Sequence, residues 1–80
     1  MKNFKTRIYI NKLISSSLLI YIKDKQHHFL KNVLRIKIND KIIVFDGKTG
    51  EWEAAVISVN RDNIVLRVIK LNKKIKKSND

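Results

Sequence analysis

A short run of basic side chains is the feature of this sequence best suited to binding a ligand. His28, Lys31 and Arg35 recur at i, i+3 and i+7, so on a helix they share one face about 10 Å long. Donors in such a row suit the phosphates of a nucleic-acid strand. Arg35 is the best candidate, because a guanidinium can bind a phosphate through two hydrogen bonds where Lys is a point charge. The alternative is a solvated helix face that binds nothing.

Catalytic and metal-binding constellations are not recognisable in the sequence. His27 and His28 are adjacent, but there is no Cys, no third His and no carboxylate at a ligand spacing, so no metal site is expected. One of the two histidines is expected to pack against the domain and to hydrogen-bond a backbone group. Asp46 falls in a turn, where we expect it to be exposed with an ordinary pKa. The only glycines, Gly47 and Gly50, offer little material for a cofactor loop.

The composition indicates one small globular domain with a polyanionic partner. The chain has 80 residues, 44% of them apolar, and 18 Lys plus Arg against 7 Asp plus Glu, a net charge of +11. Part of this excess has another explanation, since Ile, Lys and Asn dominate, as in AT-rich genomes. No apolar run approaches a membrane span or a secretory signal, and cysteine is absent. We therefore expect a cytoplasmic protein without membrane contact.

The apolar pattern predicts a mostly β fold with one short helix. Asp24 is placed to cap the helix, whose buried face is Leu30, Val33 and Leu34 and which should end near residues 36–38. Asn39-Asp40 reads as a turn, and turns also separate the later strands. The predicted strands are 6–10, 18–22, 42–45, 51–59 and 64–69. Five short strands at hairpin spacing favour a small, mostly antiparallel barrel capped by a helix.

Arg7 is the unusual charge on the strands. It alternates with Ile8 on a strand that is otherwise apolar and aromatic, so its side chain faces away from the core. Two explanations fit this position. Arg7 forms an ion pair with Asp40 or Asp46, or it contacts a phosphate.

Aromatic side chains on strands have two interpretations. They can stack on unpaired bases, or they can fill the core of a small barrel, which is the commoner case. Trp52 lies between two glutamates near a strand start and is expected to be the most exposed of the three. The residues concerned are Tyr9, Tyr21 and Trp52.

The ordered set Val33-Leu34-Arg35, Asp40 and Phe45-Asp46-Gly47 resembles the N-terminal region of the bacterial 16S rRNA (uracil-N3) methyltransferases. The resemblance implies a PUA/OB-like antiparallel β-barrel of about five strands with one short α-helix, binding small-subunit rRNA during ribosome biogenesis. In that family a separate knotted domain binds S-adenosylmethionine, methylates the uridine and forms the homodimer. The RNA-binding candidates here are Arg7, His28, Lys31, Arg35 and Lys37.

The sequence also departs from that family. The usual histidine before the Val-Leu-Arg element is Phe29 here, with His28 one residue earlier, and the glycine of the later turn is Asn39. No part of the chain resembles the methyl-donor site, so no cofactor is expected in it and methylation by this chain alone is not expected. We expect a barrel over 1–71, a basic tail or linker over 72–80, and a monomer. The alternatives are a truncated or split-gene remnant, or a stand-alone basic RNA-binding barrel.

Overall fold

Five strands and one helical segment make up the structure, a computed structural model that describes residues 4–74. All five predicted strands are present, which confirms the mostly β fold. The helix α1 continues directly into a π-helical turn. In chain order the elements are β1 (Arg7–Tyr9), β2 (Leu19–Ile22), α1 (Asp24–His28), the π-helical turn (Phe29–Val33), β3 (Lys41–Phe45), β4 (Gly50–Val59) and β5 (Ile64–Lys74).

The strands form one curved sheet in the order β1-β3-β4-β5-β2. The pairs β3–β4, β4–β5 and β5–β2 are antiparallel, as predicted. The pair β1–β3 is parallel, so the sheet is mostly antiparallel, as the prediction stated, with one parallel pair at its edge. Parallel pairing needs a long crossover, and the chain between β1 and β3 supplies one because it includes β2 and the helix. β1 and β2 are therefore the two edges of the sheet.

One face of the sheet holds an isoleucine- and valine-rich core. β1 and β2 alternate exposed and buried residues, so each contributes one side of its strand. β4 has register irregularities at three places, and such bulges bend a strand and increase its twist. The helix adds Leu30, which is fully buried. The completely enclosed core side chains are Leu30, Ile42, Val44, Ala54, Val56, Ile64 and Leu66.

The start of α1 differs from the prediction. Asp24 is the first helical residue and has a positive φ of 57°. The preceding Lys23 is extended, and no side chain caps the helix. The predicted N-cap is therefore wrong: an N-cap residue has extended backbone angles that let its side chain reach back to the free amides, and Asp24 lacks them.

The end of the helix also differs, because the last turn is wider than an α-helical turn. The Leu34 amide donates to the Phe29 carbonyl at 3.1 Å, an i to i+5 bond, and the helix stops at Val33 rather than near 36–38. The wider turn changes the angular spacing of the side chains. Leu30 is buried and Leu34 half-buried as predicted, but Val33 is 62% exposed. The predicted buried face is thus wrong at Val33.

The last strand is longer than the apolar pattern indicated. β5 runs to Lys74, and Lys73 and Lys74 pair with Glu51 and Gly50 of β4. Residues 72–74 of the predicted tail are thus strand, while 75–80 lie outside the described residues. A domain boundary after residue 71 stays a prediction. Over residues 4–74, no helix combines the length and the apolar character that crossing a membrane requires.

Candidate nucleic-acid interface

Arg35 lies just beyond the helix, in a backbone conformation that arginine rarely adopts. Its φ is +53°, and the next residue, Ile36, donates its amide to the Leu30 carbonyl at 2.9 Å, which closes the helix end. Glycine or asparagine usually occupies such a left-handed position, because a Cβ is crowded there. A strained non-glycine residue suggests a function for its side chain. Arg35 is exposed at this position.

Arg35 therefore does not extend a helical row with His28 and Lys31, as its spacing predicted, because the helix ends at Val33. His28 is exposed, and its Nδ1 lies 2.9 Å from the side-chain nitrogen of Asn32. Lys31 is half-buried. The three residues still belong to one continuous stretch of helix and turn.

His27 confirms the prediction that one histidine serves the structure. It is half-buried, and its Nε2 lies 2.9 Å from the Asn60 carbonyl oxygen in the β4–β5 turn. This contact ties the helix to the sheet. Among the side chains of residues 4–74, no three His, Cys, Asp or Glu residues cluster as metal ligands would.

Lys37 stands on a rigid turn. Asp40 accepts a hydrogen bond from the Lys37 amide at 2.8 Å, and Asn39 adopts a left-handed φ of +78°, as predicted for this turn. The Asn39 amide donates to the Val56 carbonyl at 2.8 Å, and the Val56 amide donates to the Asp40 carbonyl at 2.9 Å. The turn is thereby fastened to β4. Lys37 is exposed on it.

Arg7 is exposed on β1 and forms an ion pair, but not with either predicted partner. Its guanidinium contacts the Glu51 carboxylate and lies over the Phe45 ring, 5.5 Å from the ring centroid. Asp40 and Asp46 are held by backbone amides instead. Solvent-exposed pairs of this kind contribute little, so Arg7 can exchange its partner at low cost.

Acidic side chains compensate few of the cations near the helix. Residues 23–37 contain five Lys or Arg and one Asp. Asp40 and Asp46 bind backbone amides, Glu51 binds Arg7, and Glu53 lies 3.7 Å from Lys41. Within the described part of the chain, Lys31 and Arg35 make no ion pair. The helix and the turn after it thus form a basic surface, defined here by His28, Lys31, Arg35 and Lys37.

Asp46 contradicts the expectation of an exposed turn carboxylate. It is 4% exposed and accepts hydrogen bonds from the amides of Ile14, Lys48 and Thr49 and from the Thr49 hydroxyl, at 2.7 to 3.0 Å. Burial, the largest influence, raises the pKa of Asp46, but these four bonds together lower that pKa far below its ordinary range. Asp46 is an ionised structural group. It is unsuited to proton transfer at neutral pH.

The tyrosines are much more exposed than the aromatic residues of a barrel core. Tyr9 is 51% exposed and Tyr21 is 54% exposed, on the two edge strands. Trp52, predicted to be the most exposed, is half-buried and donates its indole N–H to the Thr49 hydroxyl at 2.8 Å. The alternation of side chains along a strand could have predicted the exposure of Tyr21. Ile20 and Ile22 flank it, and because both isoleucines are buried, Tyr21 faces outward.

Comparison with known proteins identifies the family to which this chain is similar. The family described as the RNA methyltransferase PUA domain matches residues 22–69. Ribosomal RNA small subunit methyltransferase E of Rickettsia conorii is 35% identical over 63 residues, which cover 78% of this chain and 26% of that protein. Its counterpart in Buchnera aphidicola is 30% identical over 76 residues, covering 95% of this chain and 30% of the other.

Solved structures agree with this assignment. A ribosomal RNA small subunit methyltransferase E from Neisseria gonorrhoeae, bound to S-adenosyl methionine, superposes with a TM-score of 0.70 at 25% identity, over 80% of this chain and 27% of that one. A methyltransferase from Legionella pneumophila shares the fold with a TM-score of 0.77 at 18% identity, over 89% of this chain and 29% of its own.

The chain therefore belongs to the RNA methyltransferase PUA domain family, since that family matches more than half of it. It spans between a quarter and a third of the length of the curated relatives it matches.

Gly50 leaves no room for a ligand such as the S-adenosyl methionine held by one solved relative, because a Cβ there would meet the Lys73 carbonyl oxygen at 2.2 Å. Gly47 lies in the turn that the Asp46 carboxylate holds. The Gly50 position is filled by the neighbouring strand rather than open to a ligand. We assign no step of methyl transfer to this part of the chain.

Proposed function

We propose that this chain is the ribosomal RNA-binding domain of a small-subunit rRNA methyltransferase. The observation that carries the proposal is the basic surface on the helix and the turn after it. Its cations lack acidic partners among the described residues, and Arg35 sits there at the cost of backbone strain. Cations left uncompensated on a rigid frame suit the regularly spaced phosphates of an RNA strand.

Each candidate residue has a defined part in this proposal. Arg35 supplies a forked donor for one phosphate, and Lys31 and Lys37 add point charges on either side of it along the chain. His28 adds a hydrogen-bond donor at the start of the same stretch. Arg7 is the fifth candidate and would exchange Glu51 for a phosphate when RNA is bound.

The methyl transfer itself is proposed only for the larger protein that such a domain would serve. The relatives are named as methyltransferases, and one solved relative holds S-adenosyl methionine. In our proposal this chain grips small-subunit rRNA in the cytoplasm, while a knotted catalytic domain, in the same or a separate polypeptide, binds the donor and forms the dimer. A stand-alone barrel that binds RNA without modifying it is the second candidate, and the unpaired cations of the basic surface support it as well.

The test is the salt dependence of binding to a fragment of small-subunit rRNA. We expect the logarithm of the association constant to fall linearly with the logarithm of salt concentration, by about 0.7 to 0.9 for each phosphate contact. Arg35→Ala should reduce the slope by about one contact and weaken binding about 10-fold. Arg67→Ala is the matched control, since Arg67 is also exposed but lies on β5, outside the basic surface.

Two results would contradict the proposal. Binding that does not change between low and moderate salt would exclude a phosphate-gripping surface. Equal losses in Arg35→Ala and Arg67→Ala would show that net charge, and not the basic surface, attracts the RNA.

A further inference from the structure

The sheet leaves a cleft where its two edge strands approach each other. The cleft has a volume of about 630 Å³, within the range of ordinary ligand sites. It lies on β1 and β2 and on the start of the helix, apart from the basic surface defined above. Its lining residues are Tyr9, Ile10, Asn11, Lys12, Ile20, Tyr21, Ile22, Lys23 and Gln26.

The lining is ordered by chemical type. The isoleucines Ile10, Ile20 and Ile22 border the cleft, but their side chains are at most 6% exposed and belong to the core beneath it. The two tyrosines belong to the opposite edge strands and are half-exposed at its sides. Lys12 and Lys23 are exposed, and no carboxylate lines this cleft in the part of the chain described.

One wall is held in place by its neighbours. The Tyr9 ring meets the Phe45 ring edge-on, with centroids 5.8 Å apart, and a Cβ on Gly47 would lie 3.8 Å from it. The Gln26 side chain donates to the Tyr9 carbonyl at 3.3 Å, which ties the helix to the end of β1. An aromatic ring that is already ordered loses little conformational entropy when a ligand stacks on it.

We propose that this cleft binds an unpaired nucleotide of RNA, with the base stacked on Tyr9 or Tyr21 and its phosphate near Lys12 and Lys23. The inference rests on the RNA-binding function proposed above and gives it a second contact point. Aromatic side chains beside cations are the usual platform for single-stranded RNA, because every base has a face that stacks. The amides of Asn11 and Gln26 stand at the rim, where they can hydrogen-bond a base edge.

Single-stranded RNA is favoured over a duplex by the shape and chemistry of the cleft. In a duplex the bases are stacked and paired, so none is free to stack on a tyrosine ring in the cleft. The phosphates of a duplex still reach the basic surface, whose contacts need no free base. The two surfaces should therefore respond differently to the strandedness of the RNA.

The experiment measures binding of the whole chain to an unstructured oligouridine and to a blunt-ended RNA duplex of equal length. We expect Tyr9→Leu and Tyr21→Leu to weaken oligouridine binding about 5-fold or more, with little change for the duplex. Tyr9→Phe and Tyr21→Phe keep the ring and should bind like the wild type. Leu19→Ala is the control, because Leu19 is 41% exposed on β2 but does not line the cleft.

A second measurement needs no variant. The chain contains only two tyrosines, so ring-labelled tyrosine gives two NMR signals. Both should shift when oligouridine is added, even if a leucine variant fails to fold.

The outcomes separate this inference from the proposed function. If the wild type binds neither RNA, the proposed function fails. If it binds both with a steep salt dependence, but the tyrosine signals stay unmoved and the leucine variants bind like the wild type, only the cleft proposal is overturned.

Discussion

Two turns of this small domain differ in the burial of their charged residue. The turn over residues 46–50 surrounds a buried carboxylate, Asp46, which accepts four hydrogen bonds, and it places glycine at both positive φ angles. The turn over residues 35–39 is exposed except at Ile36, and it has positive φ at Arg35 and Asn39, where glycine would be less strained. In the first turn the charge serves stability. In the second, an exposed Arg35 occupies a strained backbone position.

The largest expected effect is on the buried turn. Asp46→Ala removes the acceptor for the amides of Ile14, Lys48 and Thr49, which leaves buried donors unpaired. We expect the free energy of unfolding, measured with urea, to fall by about 3 kcal/mol. Asp62→Ala is the control at an exposed turn carboxylate and should change it by less than about 0.5 kcal/mol. Similar losses in both variants would show that the buried hydrogen bonds of Asp46 do not set it apart from an exposed turn carboxylate.

The stability that Asp46 contributes should depend on pH. The pKa of Asp46 in the folded protein lies below its ordinary value of 3.8, so at low pH the unfolded chain binds a proton that the folded chain does not. The stabilisation is therefore complete well above pH 3.8 and is lost as the pH falls below it, by up to about 1.4 kcal/mol per pH unit. Unfolding free energies of the wild type and Asp46→Ala, measured from pH 6 to pH 2.5, should converge as the pH falls. A difference that stays constant would mean that the pKa of Asp46 is not lower in the folded than in the unfolded chain.

The smallest expected effect on stability has the opposite sign and concerns the exposed turn. Arg35→Gly relieves the crowding at φ +53° and should raise the free energy of unfolding by about 0.5 to 1 kcal/mol. Arg35→Ala keeps the Cβ and should bring no such gain. Both variants lose the guanidinium and should weaken RNA binding equally. Loss of stability in Arg35→Gly would show that this turn is not left-handed in solution.

The main elements of the fold followed from local pattern, whereas the exposure of single residues did not. Apolar runs located all five strands, and Asn39-Asp40 marked a turn that the structure contains. The helix end was misjudged because a π-helical turn depends on an i to i+5 bond that leaves no mark in apolar spacing. Likewise, β5 extends to Lys74 through pairing with β4, although its last residues are not apolar.

The candidate site was located only in part. The basic segment was visible as charge in the sequence, and the resemblance to rRNA methyltransferases agrees with the family found by comparison. The RNA-binding roles of Arg7, His28, Lys31, Arg35 and Lys37 stay predictions. The partner of Arg7 was missed because Glu51 lies 44 residues away and meets it only through the register of β1, β3 and β4.

By itself the sequence determined the number and type of elements, the basic character and the family, because these depend on composition, periodicity and short ordered motifs. Only the tertiary structure decided which charges are neutralised and which stay free. It placed the Ile14 amide against Asp46 and brought Tyr9 and Tyr21 to opposite sides of one cleft. Such juxtapositions join residues distant in the chain, and strand register and crossover geometry set them rather than any local preference.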